Sequence, residues 1–141
     1  MGRITIHVHG IPKEKAYNLL LEIYHKRLKT RNIKIIQHSD KKSLDDYVRD
    51  IGKNSHLVLF DERGDEMTSL EFAVQLKKWS IENQAVSLAI GPFNGWGSYR
   101  NNIKDIISLS KYTFPHELAA VILAEQVYRA TEINKGTKYH R

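Results

Sequence analysis

The last three residues of the chain, Tyr139, His140 and Arg141, are side-chain types that could act on a nucleic acid. An aromatic ring can stack on an unpaired base, an imidazole exchanges protons near neutral pH, and a guanidinium contacts phosphate. Chain ends are also commonly solvated tails with no role. Residue type and spacing leave both interpretations open.

A second candidate is the glycine-rich segment GPFNGWG at residues 91–97, because glycine lets a backbone approach a ligand closely. The segment lacks the spacing of the dinucleotide fingerprint and the Gly-Lys-Ser/Thr of a phosphate-binding loop, so a phosphate cradle is not expected. An adenosine-type ligand held by backbone groups stays open, as does a turn without a ligand.

The other reactive residue types form no motif. The chain has no cysteine, which excludes disulfides, thiolate metal sites and a cysteine nucleophile. The seven histidines lack the paired spacing of zinc ligands, although His7 and His9 share a strand face, so we expect no metal site. Glu125 and Arg129 stand four residues apart, as in a helix-stabilising ion pair.

The charge of the chain favours a polyanionic partner. Lys and Arg number 22 against 16 acidic residues, giving a net charge of +6 over 141 residues. Such an excess is typical of nucleic-acid-binding domains, although many basic surfaces have no such partner. The basic residues include two clusters, which could contact RNA phosphates without reading sequence: Lys26, Arg27, Lys29, Arg31 and Lys34, and Lys135, Lys138 and Arg141.

Hydrophobic periodicity predicts alternating strands and helices. Strands are predicted at RITIHVH, IKIIQ, HLVLF, AVSLAI and DIISLS, with a turn at DERGDE. Helices are predicted to begin near Pro12, before Gly52, at the capping box that starts with Thr68, and at Pro115. We therefore expect one α/β domain over residues 1–141, with a mostly parallel sheet covered by helices on both faces. Without a signal peptide or a membrane-length apolar run, the expected location is the cytoplasm.

Ligands of parallel sheets collect outside the carboxyl ends of the strands. Three such ends can be named here, at Phe60-Asp61, Ile90-Gly91 and Leu109-Ser110. The middle one leads into the glycine-rich segment. The sequence therefore predicts a pocket at this edge of the sheet.

The predicted last helix is apolar on every side over residues 118–124. A helix of this kind must be covered all round. Either its own chain buries it completely, or a second copy covers one flank in a twofold dimer.

The segment SLSKYTFPHELAAVILAEQVYRATEINKGTKYHR resembles the ribosomal RNA large-subunit methyltransferase H family of the SPOUT superfamily, whose members methylate N3 of a pseudouridine. That family has a serine-rich strand, Thr-Phe-Pro-His, a Glu-Gln-x-Tyr-Arg-Ala helix and a Gly-x-x-Tyr-His-basic ending, in this order. The similarity continues upstream through VLFDERGDEMTSLEFA and VSLAIG and weakens in the N-terminal third.

The resemblance implies a trefoil knot in the C-terminal half, a homodimer, bound S-adenosyl-L-methionine, and helix 69 of large-subunit rRNA in assembled ribosomes as the substrate. It also implies that Tyr139, His140 and Arg141 lie at the active site, across the dimer interface. Tyr139 would contact the target base, His140 would help remove the N3 proton, and Arg141 would hold phosphate. The cofactor-binding residues it implies are Phe60, Gly91, Leu109, Ser110, Lys111, Tyr112, Thr113 and Phe114.

The chain departs from the family pattern in the glycine-rich segment. Pro92 stands where the family has a second glycine, which removes one N–H, and Phe93 and Trp96 add two bulky rings. Either the loop tolerates these changes or cofactor binding is weakened. Three functions therefore stay open: the rRNA methyltransferase, a knotted methyltransferase acting on another RNA such as tRNA, and a non-catalytic basic dimer that binds RNA or ribosomes.

Overall fold

The computed structural model describes residues 3–141 and contains one five-stranded sheet. The strands are β1 (Ile4–His9), β2 (Ile33–His38), β3 (Ser55–Glu66), β4 (Ala85–Ile90) and β5 (Asp105–Ser108). They lie in the order β2-β1-β4-β3-β5, and each neighbouring pair is parallel. The predicted parallel sheet is confirmed.

The strands are joined by helices. These are α1 (Lys15–Lys29), α2 (Leu44–Gly52), α3 (Ser69–Ser80), the single-turn α4 (Tyr99–Asn102) and α5 (His116–Lys135). The predicted capping box is present, since the Thr68 hydroxyl accepts from the Glu71 N–H and the Glu71 carboxylate accepts from the Thr68 N–H. Only α4 was not predicted, because one helical turn carries no periodicity that a sequence pattern could reveal.

The sheet is covered on both faces, as predicted. Alternate strand residues such as Ile6, Val58 and Leu88 face one hydrophobic layer, which α1, α3 and α5 complete. The opposite set, including Leu59 and Ala89, faces a smaller layer built around α2. The period of two along each strand therefore separates two cores.

Residues 61–66, predicted as a turn, belong to β3, so that prediction was wrong. Phe60 and then Asp65 both pair with Ile107 of β5, and the residues between them form a bulge. A Cβ on Gly64 would lie 2.6 Å from the β5 backbone, so only glycine permits this close pairing. The turn residues of this segment thus make a bulge within a strand.

The last strand is shorter than the pattern DIISLS predicts and ends at Ser108. The Ser108 hydroxyl donates to the Ser110 carbonyl at 2.8 Å, and the Ser110 hydroxyl accepts from the Tyr112 N–H at 3.0 Å. These local bonds replace ladder bonds and turn the chain away from the sheet.

Helix α5 packs against both α1 and α3. Ala120, Leu123 and Ala124 are completely buried, whereas Leu118 and Ile122 are only half-buried. One chain therefore leaves part of this apolar helix accessible. Within residues 3–141, no helix is long and apolar enough to span a membrane. The trefoil knot stays a prediction.

Candidate active site

A cleft lies at the carboxyl ends of β3, β4 and β5, the edge where the sequence predicted a pocket. Its volume is about 160 Å³. The cleft brings together seven of the eight residues expected to bind a cofactor: Phe60, Gly91, Leu109, Ser110, Tyr112, Thr113 and Phe114.

Lys111 is the eighth expected residue, and it does not line this cleft. Its side chain is exposed, and its Nζ lies 3.5 Å from a carboxylate oxygen of Glu66. The loop therefore turns Lys111 away from the cleft that its neighbours form.

The floor of the cleft is held by two aromatic side chains that the sequence analysis did not assign to it. The Trp96 Nε1–H donates to the Phe60 carbonyl at 2.9 Å, and the Tyr47 hydroxyl donates to the Ile90 carbonyl at 2.8 Å. The two rings stack with centroids 5.7 Å apart, and burial raises the pKa of Tyr47. A Cβ on Gly91 would lie 2.9 Å from the Trp96 ring, so this glycine leaves room for the indole.

The loop at residues 91–97 accommodates its unusual residues in different ways. The Pro92 carbonyl accepts from the Gly95 N–H at 2.9 Å, which closes a tight turn, and Gly95 has a φ of 85° that favours glycine. Trp96 points inward and is buried, whereas Phe93 lies at the cleft with 84% of its surface exposed. Only one of the two bulky rings therefore occupies interior space.

Two carboxylates also line the cleft, Asp61 and Glu62. Glu62 accepts from the Thr113 hydroxyl at 2.6 Å, which links the β3 bulge to the loop after β5. Asp61 lies 3.9 Å from the guanidinium of Arg100. Asp61 was expected only as part of a strand end, and Glu62 was not expected at the site. Their position directly after Phe60 was the available signal.

The tail residues lie against α5. The Tyr139 hydroxyl and the Arg129 Nη2 both donate to Glu125, at 2.9 Å and 2.8 Å. The Arg129 guanidinium also covers the Tyr139 ring and lies 3.1 Å from the His140 Nδ1. Burial and then the bond to Glu125 raise the pKa of Tyr139. The predicted Glu125–Arg129 pair is confirmed, and it also holds the tail.

The three tail residues do not line the cleft of their own chain. Tyr139 and His140 are half-buried beside α5, and Arg141 is exposed. The structure therefore brings the expected cofactor residues together but keeps the expected catalytic residues apart from them within one chain.

The strand histidines contact each other. The His7 Nδ1 lies 2.9 Å from the His38 Nε2, and burial, followed by the charge of His38, lowers the pKa of His7 to about 4. Across residues 3–141, no three or more His, Asp or Glu side chains are grouped so that they could hold a metal ion.

Comparison with known proteins identifies relatives along nearly the whole chain. Residues 2–140 match a family model described as a predicted SPOUT methyltransferase. A Prochlorococcus marinus protein named ribosomal RNA large subunit methyltransferase H is 41% identical over 123 residues, 86% of this chain and 83% of the relative. Its namesake from another strain is 37% identical over 134 residues, 94% and 91% of the two chains. A Francisella philomiragia protein of the same name is 36% identical over 117 residues, 82% and 74% of the two chains.

Proposed function

Because the chain belongs to the ribosomal RNA large subunit methyltransferase H family of SPOUT methyltransferases, we propose that it methylates N3 of a pseudouridine in helix 69 of large-subunit rRNA. The methyl donor would be S-adenosyl-L-methionine, and the substrate would be the assembled ribosome in the cytoplasm. The observation that carries this proposal is the cleft at the ends of three parallel strands, where seven expected cofactor residues meet.

The residues of the cleft fit an adenosyl group. Phe60, Ile90, Leu109 and Phe114 supply apolar surface for a purine ring, and the backbone of Gly91 lines the same cleft. When bound, the cofactor supplies an electrophilic methyl group on a positively charged sulfur. The nearby carboxylates of Asp61 and Glu62 make this edge favourable for a cation.

The chain's own contribution to the reaction would be orientation and proton handling. Tyr139 would contact the target base, Arg141 would hold a phosphate, and His140 would accept the N3 proton. Since a ring imide proton is weakly acidic, aligning N3 with the methyl carbon would supply most of the rate enhancement.

Several observations support a homodimer in which the tail of one copy completes the cleft of the other. The tail lies outside the cleft of its own chain, Leu118 and Ile122 are half-buried, and α1 exposes Leu19, Leu20 and Ile23. A twofold dimer would cover such apolar surface.

The proposal is tested by transfer of a labelled methyl group to unmodified ribosomes, with free rRNA and tRNA as parallel substrates. We expect label in ribosomes only, and a reverse-transcription stop in helix 69, because N3 methylation blocks the pairing edge of the base. Label in tRNA would show that the protein is a methyltransferase whose substrate is tRNA instead of the ribosome.

Calorimetry with S-adenosyl-L-methionine tests the cofactor separately. Saturable binding is expected, because the turn that contains Pro92 is closed by a hydrogen bond and the expected cofactor residues still meet in the cleft beside it. A lack of binding at high cofactor concentration would overturn the methyltransferase proposal and favour a non-catalytic RNA- or ribosome-binding dimer.

A further inference from the structure

A second cavity, of about 890 Å³, lies at the opposite edge of the sheet from the cleft. Ile4 and Ile33, the first residues of β1 and β2, line it together with the C-terminal ends of α1, α3 and α5. The fold brings residues of both basic clusters to this cavity, and Arg3 and Lys77 add two further positive charges. The cationic residues lining the cavity are Arg3, Lys29, Arg31, Lys34, Lys77 and Lys135.

Most of this positive charge is not neutralised. Arg31 lies 3.2 Å from Glu132, whose pKa is lowered first by a hydrogen bond from Tyr128. The other five cations are exposed and form no ion pair within 4.0 Å with any residue between 3 and 141. No Asp or Glu lines the cavity. The Arg31 Nε–H is buried and has no hydrogen-bond partner among residues 3–141.

Helix capping accounts for only part of this charge. Lys29, Lys77 and Lys135 lie in the last turns of α1, α3 and α5, where cations offset the negative end of the helix dipole. Each helix end contributes roughly half a negative charge. Three such ends together with Glu132 still leave the cavity strongly positive.

The floor of the cavity is apolar. Ile4, Ile33 and Leu76 are buried beneath it, and Ile81 lies beside it with 75% of its surface exposed. Apolar surface surrounded by cations suits a nucleotide, because the base and ribose can lie on the floor while phosphates contact the rim. The volume is within the range of roughly 300–1,000 Å³ that ligand sites have.

The two sites are separated by the length of the strands. β1 and β4 have six residues each and run parallel, so about 20 Å separates the cavity from the cleft along the sheet. A small anion cannot occupy both sites, whereas a polynucleotide can.

We propose that this basic cavity binds the backbone of the RNA substrate at a second position, away from the reacting base. The identity of that RNA rests on the proposed function. The cavity would strengthen ribosome binding and fix the orientation of the protein, without contacting the cofactor or the methylated base.

The test replaces three cavity lysines at once, Lys29→Gln, Lys34→Gln and Lys77→Gln. A matched control, Lys41→Gln, Lys53→Gln and Lys104→Gln, removes the same charge from exposed positions outside the cavity. Equilibrium binding to unmodified ribosomes is measured at several salt concentrations, so the readout does not depend on methyl transfer. Cofactor affinity and circular dichroism check that both variants are folded.

For the cavity variant we expect ribosome affinity to fall at least tenfold at physiological salt. The slope of log K against log salt should become shallower by roughly 2–3, since each of the three lost phosphate contacts removes roughly 0.7–0.9. The control should lose less than threefold, and both variants should bind the cofactor like the wild type. Equal losses in the two variants would overturn the proposal, because net charge alone would then explain binding. A loss of dimer mass only in the cavity variant would also overturn it and would assign the cavity to a protein interface.

If wild-type protein binds ribosomes but methylates nothing, the proposed function fails while the cavity remains testable by the same binding curves. If it methylates normally and the cavity variant binds like the control, only the cavity proposal fails.

Discussion

The cleft and the C-terminal tail are built in different ways although both are proposed parts of one active site. The cleft is formed by strand ends, and the aromatic residues Trp96 and Tyr47 bond directly to backbone carbonyls on its floor. The tail follows Gly136, whose φ of 74° ends α5, and is held by side chains of that helix. One region is fixed by the sheet and the other by a few polar contacts.

This difference indicates how the site is assembled. A cleft on a rigid sheet can bind a cofactor within one chain, whereas a tail held by Glu125 and Arg129 can be presented to a neighbouring copy. Cofactor binding and methyl transfer should therefore respond separately to substitutions in the two regions.

The largest expected effect comes from deleting Tyr139, His140 and Arg141. Methyl transfer to ribosomes should fall by about 10²–10⁴-fold, because the groups that contact the base and its proton are removed. Cofactor affinity, measured by calorimetry, should stay within about twofold of the wild type, since residues between 60 and 119 line the cleft and the tail is expected to contact the RNA rather than the cofactor. The exposed variant Lys53→Gln, outside both basic clusters and the tail, is the control. A truncated protein that methylates ribosomes at the normal rate would show that the tail is not catalytic.

Gly91→Ala should act on the cleft instead. The added methyl group would lie 2.9 Å from the Trp96 ring and displace the indole from its place. We expect cofactor affinity to fall by about 100-fold and the free energy of unfolding by about 1–3 kcal/mol, as for other overpacked sites. Calorimetry and urea unfolding measure the two effects. The control is Gly52→Ala, at the end of α2, where an added Cβ meets only ordinary contacts; it should change neither the cofactor affinity nor the free energy of unfolding by much. An unaltered cofactor affinity in Gly91→Ala would mean that this glycine does not shape the site.

Trp96→Phe should give a smaller effect of the same kind. It keeps an aromatic ring against Tyr47 but removes the donor to the Phe60 carbonyl. An unpaired buried carbonyl costs about 1–3 kcal/mol of stability, and we expect cofactor affinity to fall about tenfold. Trp79→Phe is the matched control, because Trp79 is equally buried but belongs to α3 and does not line the cleft. Equal losses of cofactor affinity in both variants would refute a specific role for Trp96.

The smallest effect is expected far from both regions, at His56. The His56 ring lies between the carboxylates of Glu82 and Asp105. Burial alone would lower the pKa of His56, but the hydrogen bonds to the two carboxylates outweigh burial, so the pKa is raised above 6.5. Because the folded pKa is raised, the stabilisation is complete below pH 6.5 and is lost as pH rises through the folded value. His56→Gln should therefore lower stability by less than about 1 kcal/mol at pH 6 and by nothing measurable at pH 9. Urea unfolding at the two pH values tests this, and a difference that grows with pH would contradict it.

Much of the cleft could be predicted from the sequence because its parts follow local patterns. Strand ends can be read from apolar runs, so a pocket at Phe60, Gly91 and Leu109 was expected from the residues, and these residues line the cleft, whereas the rest of the loop up to Phe114 was expected only from the family resemblance. Lys111 belongs to this loop, but its side chain turns toward Glu66, an orientation that the family pattern does not specify.

Other features depend on contacts that no local pattern contains. Trp96 bonds to Phe60, 36 residues away, and Tyr47 bonds to Ile90, 43 residues away. The basic cavity joins the ends of three helices that are far apart in the sequence. The β3 bulge was mistaken for a turn because the same glycine and acidic residues favour both.

The most direct test combines two variants, the tail deletion and Gly91→Ala, in one sample after exchange of subunits, at a cofactor concentration too low to fill the Gly91→Ala cleft, so that neither variant alone transfers methyl groups. If the tail of one copy completes the cleft of the other, a mixed dimer contains one site with both an intact cleft and an intact tail. Random mixing makes about half of the dimers mixed, so methyl transfer to ribosomes should recover to about a quarter of the wild-type rate. A mixture that stays as inactive as its two components, despite confirmed subunit exchange, would contradict a site shared between copies.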